Sequence, residues 1–137
     1  MENEFVTYPL ALRMKALGFD ERCLAMYKNN IGVGVSLITT IEDKEDIPSA
    51  SIFYIKAPTW QSAFRWFREQ KGLWVQFAYD NDDPDIEGMY WYITAAFQYG
   101  IGPLFFHDLA SFKTYEEAQE ACLIKLCEIV EKQLKSE

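Results

Sequence analysis

His107 and Asp108 are adjacent, and His107 is the single histidine of the chain. An imidazole beside a carboxylate can pass a proton, so this pair is the first place to look for general acid–base chemistry. It supports one reading, a small hydrolase using His107 with a carboxylate such as Asp108. Two facts oppose that reading. Neighbouring residues of a strand face opposite ways, and a metal phosphohydrolase needs further histidines, which the chain lacks. A structural role for the pair is therefore expected.

The run Asp80-Asn81-Asp82-Asp83-Pro84-Asp85-Ile86-Glu87 gathers carboxylates of the kind calcium takes. Counted as an EF-hand loop from Asp80, its sixth position is Asp85 rather than glycine, and its twelfth is Trp91 rather than glutamate. A solvated hairpin loop fits better. Together with the acids of Glu42 to Asp46, the run also permits an acidic inhibitor that mimics the charge of a nucleic acid. That reading requires the two runs to merge into one face. Gly32-Val33-Gly34 and Gly100-Ile101-Gly102 lack the third glycine and the Lys-Ser/Thr ending of a phosphate loop, and no Gly-x-Ser-x-Gly occurs. Cys23, Cys122 and Cys127 contain no Cys-x-x-Cys pair, and one histidine does not complete a usual zinc site. No cofactor or metal is expected, and the thiols read as buried and inert.

The densest collection of binding-prone side chains is Ala57 to Trp74, APTWQSAFRWFREQKGLW. It holds three of the four tryptophans, two phenylalanines and two arginines. At about 100° per residue, Trp60, Ala63, Phe64 and Phe67 form the i, i+3, i+4, i+7 stripe of a core-facing helix. Trp66 falls about 100° from the centre of that stripe. Gln61, Arg65 and Arg68 gather on the other flank. Tryptophan and arginine are enriched at interface hot spots. Gln61, Arg65, Trp66 and Arg68 are therefore the candidate partner surface, with packing of Trp66 as the competing expectation. Helix three offers a second patch, Leu123, Ile124, Cys127 and Leu134, which would seal a homodimer.

These residues must be positioned by helices that share a start signal. Thr7-Tyr8-Pro9, Thr59-Trp60 and Thr114-Tyr115 each place a threonine before a helical pattern, and its hydroxyl can accept an orphan N–H. Pro9 is tolerated in a first turn. Thr114 has Glu117 three residues on, a capping box. The helices should run from Tyr8 to Leu17, closed by Gly18; from Trp60 to Lys71, closed by Gly72; and from Tyr115 to Leu134. On the last, Tyr115, Ala118, Cys122, Leu126, Ile129 and Val130 share a face. Strands are expected at Cys23 to Lys28, Val33 to Thr40, Leu73 to Tyr79 and Met89 to Tyr99. Asn29-Asn30 with Gly32 signals a hairpin between the first two. Residues Ile101 to Asp108 are ambiguous, and Glu42 to Ser51 reads as a surface loop. A helix–glycine–apolar–strand pattern occurs twice, at Gly18-Phe19 and Gly72-Leu73. Short turns between adjacent strands imply an α+β fold: one domain over residues 1–137, with an antiparallel sheet of four or five strands packed by three helices.

Composition narrows the function classes. The chain has 137 residues and a formal net charge of −8, with 21 acids against 13 bases. An acidic surface lacks the attraction that general binding to nucleic acid or anionic membranes needs. The aromatic strands could stack bases, but Met89 to Tyr99 carries rings on both alternating faces. No lysine or arginine lies between Leu73 and Phe112, so a nucleic-acid platform is not expected. No apolar run approaches the ~20 residues of a membrane helix. Met1 to Tyr8 lacks a signal-peptide pattern. Three scattered thiols suit a reducing cytoplasm.

The segments EFVTYPLALRMKALGFDERCLAMY, APTWQSAFRWFREQKGLW and FKTYEEAQEACLIKLCEIVEK resemble a group of small uncharacterised proteins of Bacteroides-type bacteria, often found in phage or other mobile-element neighbourhoods. The matching parts are the Glu-Phe-Val start, the Gly18-Phe19-Asp20-Glu21 step, Phe64 to Glu69 and Tyr115 to Ala118. The resemblance implies a context, a mobile-element accessory protein, and no site. The expected function is thus non-enzymatic, through an unidentified protein partner.

Overall fold

The threonine signals mark all three helices. In the structure, a computed structural model, residues 4–30, 32–39, 54–80, 89–98, 102–106 and 112–135 are described. Helix α1 (Tyr8–Ala16) starts after Thr7, whose carbonyl accepts from the Ala11 N–H at 2.9 Å but whose hydroxyl makes no capping bond. The other two threonines cap as expected. Thr59 Oγ1 accepts from the Ser62 N–H at 3.1 Å at the start of α2 (Trp60–Lys71), and Thr114 Oγ1 accepts from the Glu117 N–H at 3.1 Å at the start of α3 (Tyr115–Lys135). Gly18, at φ 103°, ends α1 in a Schellman motif. Its N–H reaches the Lys15 carbonyl at 3.1 Å, and the Phe19 N–H reaches that of Met14 at 3.0 Å.

Among the described residues the chain forms six strands. β1 (Ala25–Asn30) and β2 (Gly34–Thr39) form the hairpin, with Asn30 opposite Gly34. Its turn is closed by the Val33 N–H on the Asn30 carbonyl at 2.9 Å. β3 (Tyr54–Ala57) pairs with the other side of β1, Ala25 opposite Ala57. β4 (Leu73–Asp80), β5 (Met89–Gln98) and β6 (Gly102–Phe106) make a meander in which β5 is central. Among the described residues all pairings are antiparallel and there are three helices, so the fold is α+β. The expected single sheet of four or five strands is replaced by two three-stranded sheets, ordered β2-β1-β3 and β4-β5-β6. The physical reason is β3. It takes the free side of β1, so the first hairpin is completed by its own downstream chain. The ambiguous segment before His107 is a strand, although Pro103 lies in it; β6 is at a sheet edge, where a missing N–H is tolerated.

The contacts divide the chain into two compact units, Met1–Ala63 and Phe64–Glu137, with the division inside α2. In the first, Phe5, Ala25 and Ala57 form a buried cluster with Tyr27 and Leu37 packed against it. Helix α1 buries Leu10, Ala11 and Met14 and lies against β3. Tyr27 ties the N-terminal segment down: its hydroxyl donates to the Val6 carbonyl, and its ring meets the edge of Tyr8 at 5.5 Å. In the second unit α3 lies against β4 and β5. It buries Ala118, Cys122, Leu123, Leu126, Cys127 and Val130. The buried arc is therefore wider than the expected stripe. It includes Leu123 and Cys127, so the helix-three patch proposed to seal a homodimer is not an exposed surface. Tyr115 and Leu134 are exposed, and Ile124 and Ile129 are half-buried.

Candidate interaction surface

Helix α2 carries the candidate residues, and its end determines how they meet. Gly72 adopts φ 68°, the left-handed conformation glycine tolerates. It is the single residue between α2 and β4, so the chain passes from helix to strand in one step. Alternation along β4 then buries Leu73 and leaves Trp74 50% exposed. Arg68, one turn back from the helix end, lies over the Trp74 ring with its guanidinium carbon 5.6 Å from the centroid. An exposed cation–π pair of this kind contributes about 0.5–1 kcal/mol. It orients the guanidinium over a half-exposed residue.

Of the four residues expected at a partner surface, the structure places Gln61, Arg65 and Arg68 as exposed. Trp66 is the correction. It is 4% exposed, and its ring meets the edge of Phe67 at 4.9 Å, with the Lys71 ammonium 5.3 Å from its centroid. The buried residues of α2 are Trp60, Ala63, Trp66 and Phe67. Phe64 is half-buried, with its ring edge-on to Phe77 at 5.6 Å. The buried arc is thus rotated away from Phe64 and toward Trp66. The i, i+3, i+4, i+7 spacing finds a stripe but does not fix which edge of it is covered. Trp74 is the residue that the helical reading passed over. The signal for it was present: after a helix-ending glycine, Leu73 and Trp74 must face opposite sides of a strand.

Beneath this surface the second unit is aromatic. Phe77 bridges Phe64 and Tyr115, the latter at 5.1 Å. Leu73, Val75 and Phe77 alternate along the face of β4 that these rings cover, opposite to Trp74. Arg65 has no ion-pair partner among the described residues, and Arg68 meets a ring there rather than a carboxylate. This departs from the usual pairing of surface arginines with a surplus of acids.

The thiols are not poised as nucleophiles. None of the three cysteines is in a disulfide. Burial pushes the Cys23 thiol up from 9.0 to about 12, against a smaller lowering by Lys56 and a further raising by Glu21. Its sulfur lies 3.5 Å from the Glu21 carbonyl. Burial also pushes Cys122 up. Both are protonated near neutrality, and a thiol nucleophile must be ionised. His107 and Asp108 lie outside the described residues, as do residues 81–87 of the acidic run and the Glu42 to Asp46 acids. Among the described residues no group of three or more His, Cys, Asp and Glu is placed to hold a metal ion, and no helix is long and apolar enough to cross a membrane.

No protein-family model, curated protein or solved structure matches this chain.

Proposed function

We propose that the chain is a non-enzymatic accessory protein that acts by binding another protein, and that Arg65, Arg68 and Trp74 make the contact. The observation that carries this reading is the Arg68–Trp74 pair: an indole 50% exposed, under an exposed guanidinium, on a chain of net charge −8. Arginine and tryptophan are the residue types that dominate interface energetics. Two guanidinium groups on an otherwise acidic chain select a partner with an acidic contact surface. The half-open indole provides the apolar anchor beside them. The resemblance to mobile-element proteins provides the setting, in which the protein acts as one α+β domain in the cytoplasm on host or phage machinery. Its thiols would stay reduced there.

The test is parallel capture from native bacterial lysate on immobilised wild-type chain, Arg68→Ala, Trp74→Ala and the control Leu24→Ala. Leu24 is more exposed than Trp74 and lies outside the patch. A protein retained by wild type and by Leu24→Ala should bind roughly tenfold or more weakly to the two patch variants, the scale of an interface anchor. Equal retention on all four would refute the assignment.

A further inference from the structure

The two edges of the first sheet are treated differently. On the β3 side, Lys56 carries a charge within the edge strand, and its ammonium holds Asp20 through the carboxylate at 3.0 Å and the carbonyl at 3.2 Å. The N-terminal segment also closes on the residues after β3, with the Val6 N–H on the Pro58 carbonyl at 3.0 Å and Phe5 bridged to Thr59. A charged residue and a covering segment are the usual means of keeping a sheet edge from pairing with another chain. Among the described residues the β2 side has neither. From Asn29 to Ile41 the chain is uncharged and has no proline. Val33 is 87% and Val35 43% exposed. Among the described residues no strand pairs with the outer edge of β2.

We infer that β2 is a self-pairing edge, and that its occupant is β2 of a second copy of this chain. Antiparallel pairing about a twofold axis at Ser36 sets Ser36 against the partner's Ser36, Val35 against the partner's Leu37, and Gly34 against the partner's Ile38. This register joins like face to like face, so the covered side stays continuous and a six-stranded sheet results. It brings no charges together at the axis. Lys28, opposite Ser36 on β1, comes no nearer to its counterpart than three strand spacings, about 14 Å. That exceeds the ~8 Å screening length at physiological salt. For a chain of net charge −8, an uncharged edge is where two copies meet at least electrostatic cost. A six-residue edge is small against the roughly 1,200–2,000 Å² of a stable interface. The dimer is therefore weak and concentration-dependent.

Sedimentation equilibrium of the full chain from about 1 μM to 1 mM reads this directly. Wild type should rise from the 16.0 kDa monomer toward twice that mass. Ser36→Lys sets two ammonium groups directly opposite each other and should hold the chain monomeric. Lysine at the exposed Leu24 (Leu24→Lys) should leave association unchanged. A second variant is independent of any folding effect of lysine. Ser36→Cys should cross-link to its own copy under mild oxidation at least tenfold faster than Leu24→Cys. A wild type that stays monomeric at every concentration, a Ser36→Lys chain that dimerises as wild type does, or equal cross-linking of the two cysteine variants would each overturn the inference.

Discussion

Replacing Trp66 with alanine and, separately, Trp74 with alanine compares two indoles eight residues apart in environments that the structure makes opposite. Trp66 is 4% exposed, so nearly its whole side chain is returned to water or replaced by a void. A buried tryptophan covers about 150–250 Å², and at about 25 cal/mol per Å² its removal costs roughly 4–6 kcal/mol. Denatured chains already bury part of that area, and measured Trp→Ala losses fall at about 3–5 kcal/mol. Trp74 is half exposed, so about half of the transfer term is at stake, and a site open to water leaves no cavity. Its loss, with the Arg68 cation–π contact included and the same denatured-state discount applied, is about 2–3 kcal/mol. With a urea m-value of about 1–3 kcal/mol per molar for a chain of this size, the Trp66→Ala midpoint should lie about 0.5–1 M below that of Trp74→Ala. Far-UV circular dichroism is the suitable readout, because each variant removes part of the tryptophan fluorescence. Phe64→Ala should fall between them, since Phe64 is half-buried and loses one ring edge. Equal midpoints for the two tryptophan variants, or a larger loss for Trp74→Ala, would refute the placement of both rings and the interaction surface built on it.

Thr59→Ala and Thr114→Ala each remove a side-chain acceptor from a helix N-terminus and should each cost about 0.5–2 kcal/mol in urea unfolding. Thr7→Ala should stay within about 0.5 kcal/mol, because the Thr7 hydroxyl makes no capping bond. Stability should fall as pH rises above 9. Below that value Cys23 is protonated in both folded and unfolded chains. Above it the unfolded thiol ionises while burial keeps the folded one neutral until about 12, so the unfolded state gains over that window. Cys122 and Tyr115, also raised chiefly by burial, act in the same direction. Cys23→Ser should flatten the decline of the urea midpoint between pH 9 and 11.

Much of the fold was legible because its signals are local. A threonine before each helix, a glycine after α1 and α2, and Asn30 with Gly32 in the hairpin each determine backbone conformation within a few residues. β3 was not legible. It has four residues, Lys56 interrupts its apolar pattern, and Pro58 follows at once, so it shows neither length nor alternation. The division into two sheets was hidden for a related reason: Ala25 pairs with Ala57, 32 residues later, and no local pattern encodes that. Of the two helix–glycine–strand steps, Gly18 and Gly72 both end a helix at positive φ, but β4 starts at once after Gly72 whereas six residues separate Gly18 from β1. The sheets they open differ in order, however, with the first strand central in one and the second central in the other. At the candidate surface, Arg65 and Arg68 were legible from helical spacing. The exposed tryptophan was misassigned because a stripe of four positions does not reveal which side of the arc is covered. The strand beginning at Leu73 held the better answer.

The strand orders also have a kinetic consequence. In β4-β5-β6 every pairing joins neighbours in the chain, so that sheet can zip from its turns, and each closure spans a short loop. In β2-β1-β3 the hairpin forms locally, but β3 must be brought back from 32 residues away before β1 is enclosed. Until that loop closes, the β1 edge that β3 will take is unpaired. A newly made chain is therefore most adhesive between the formation of its first turn and the arrival of its third strand.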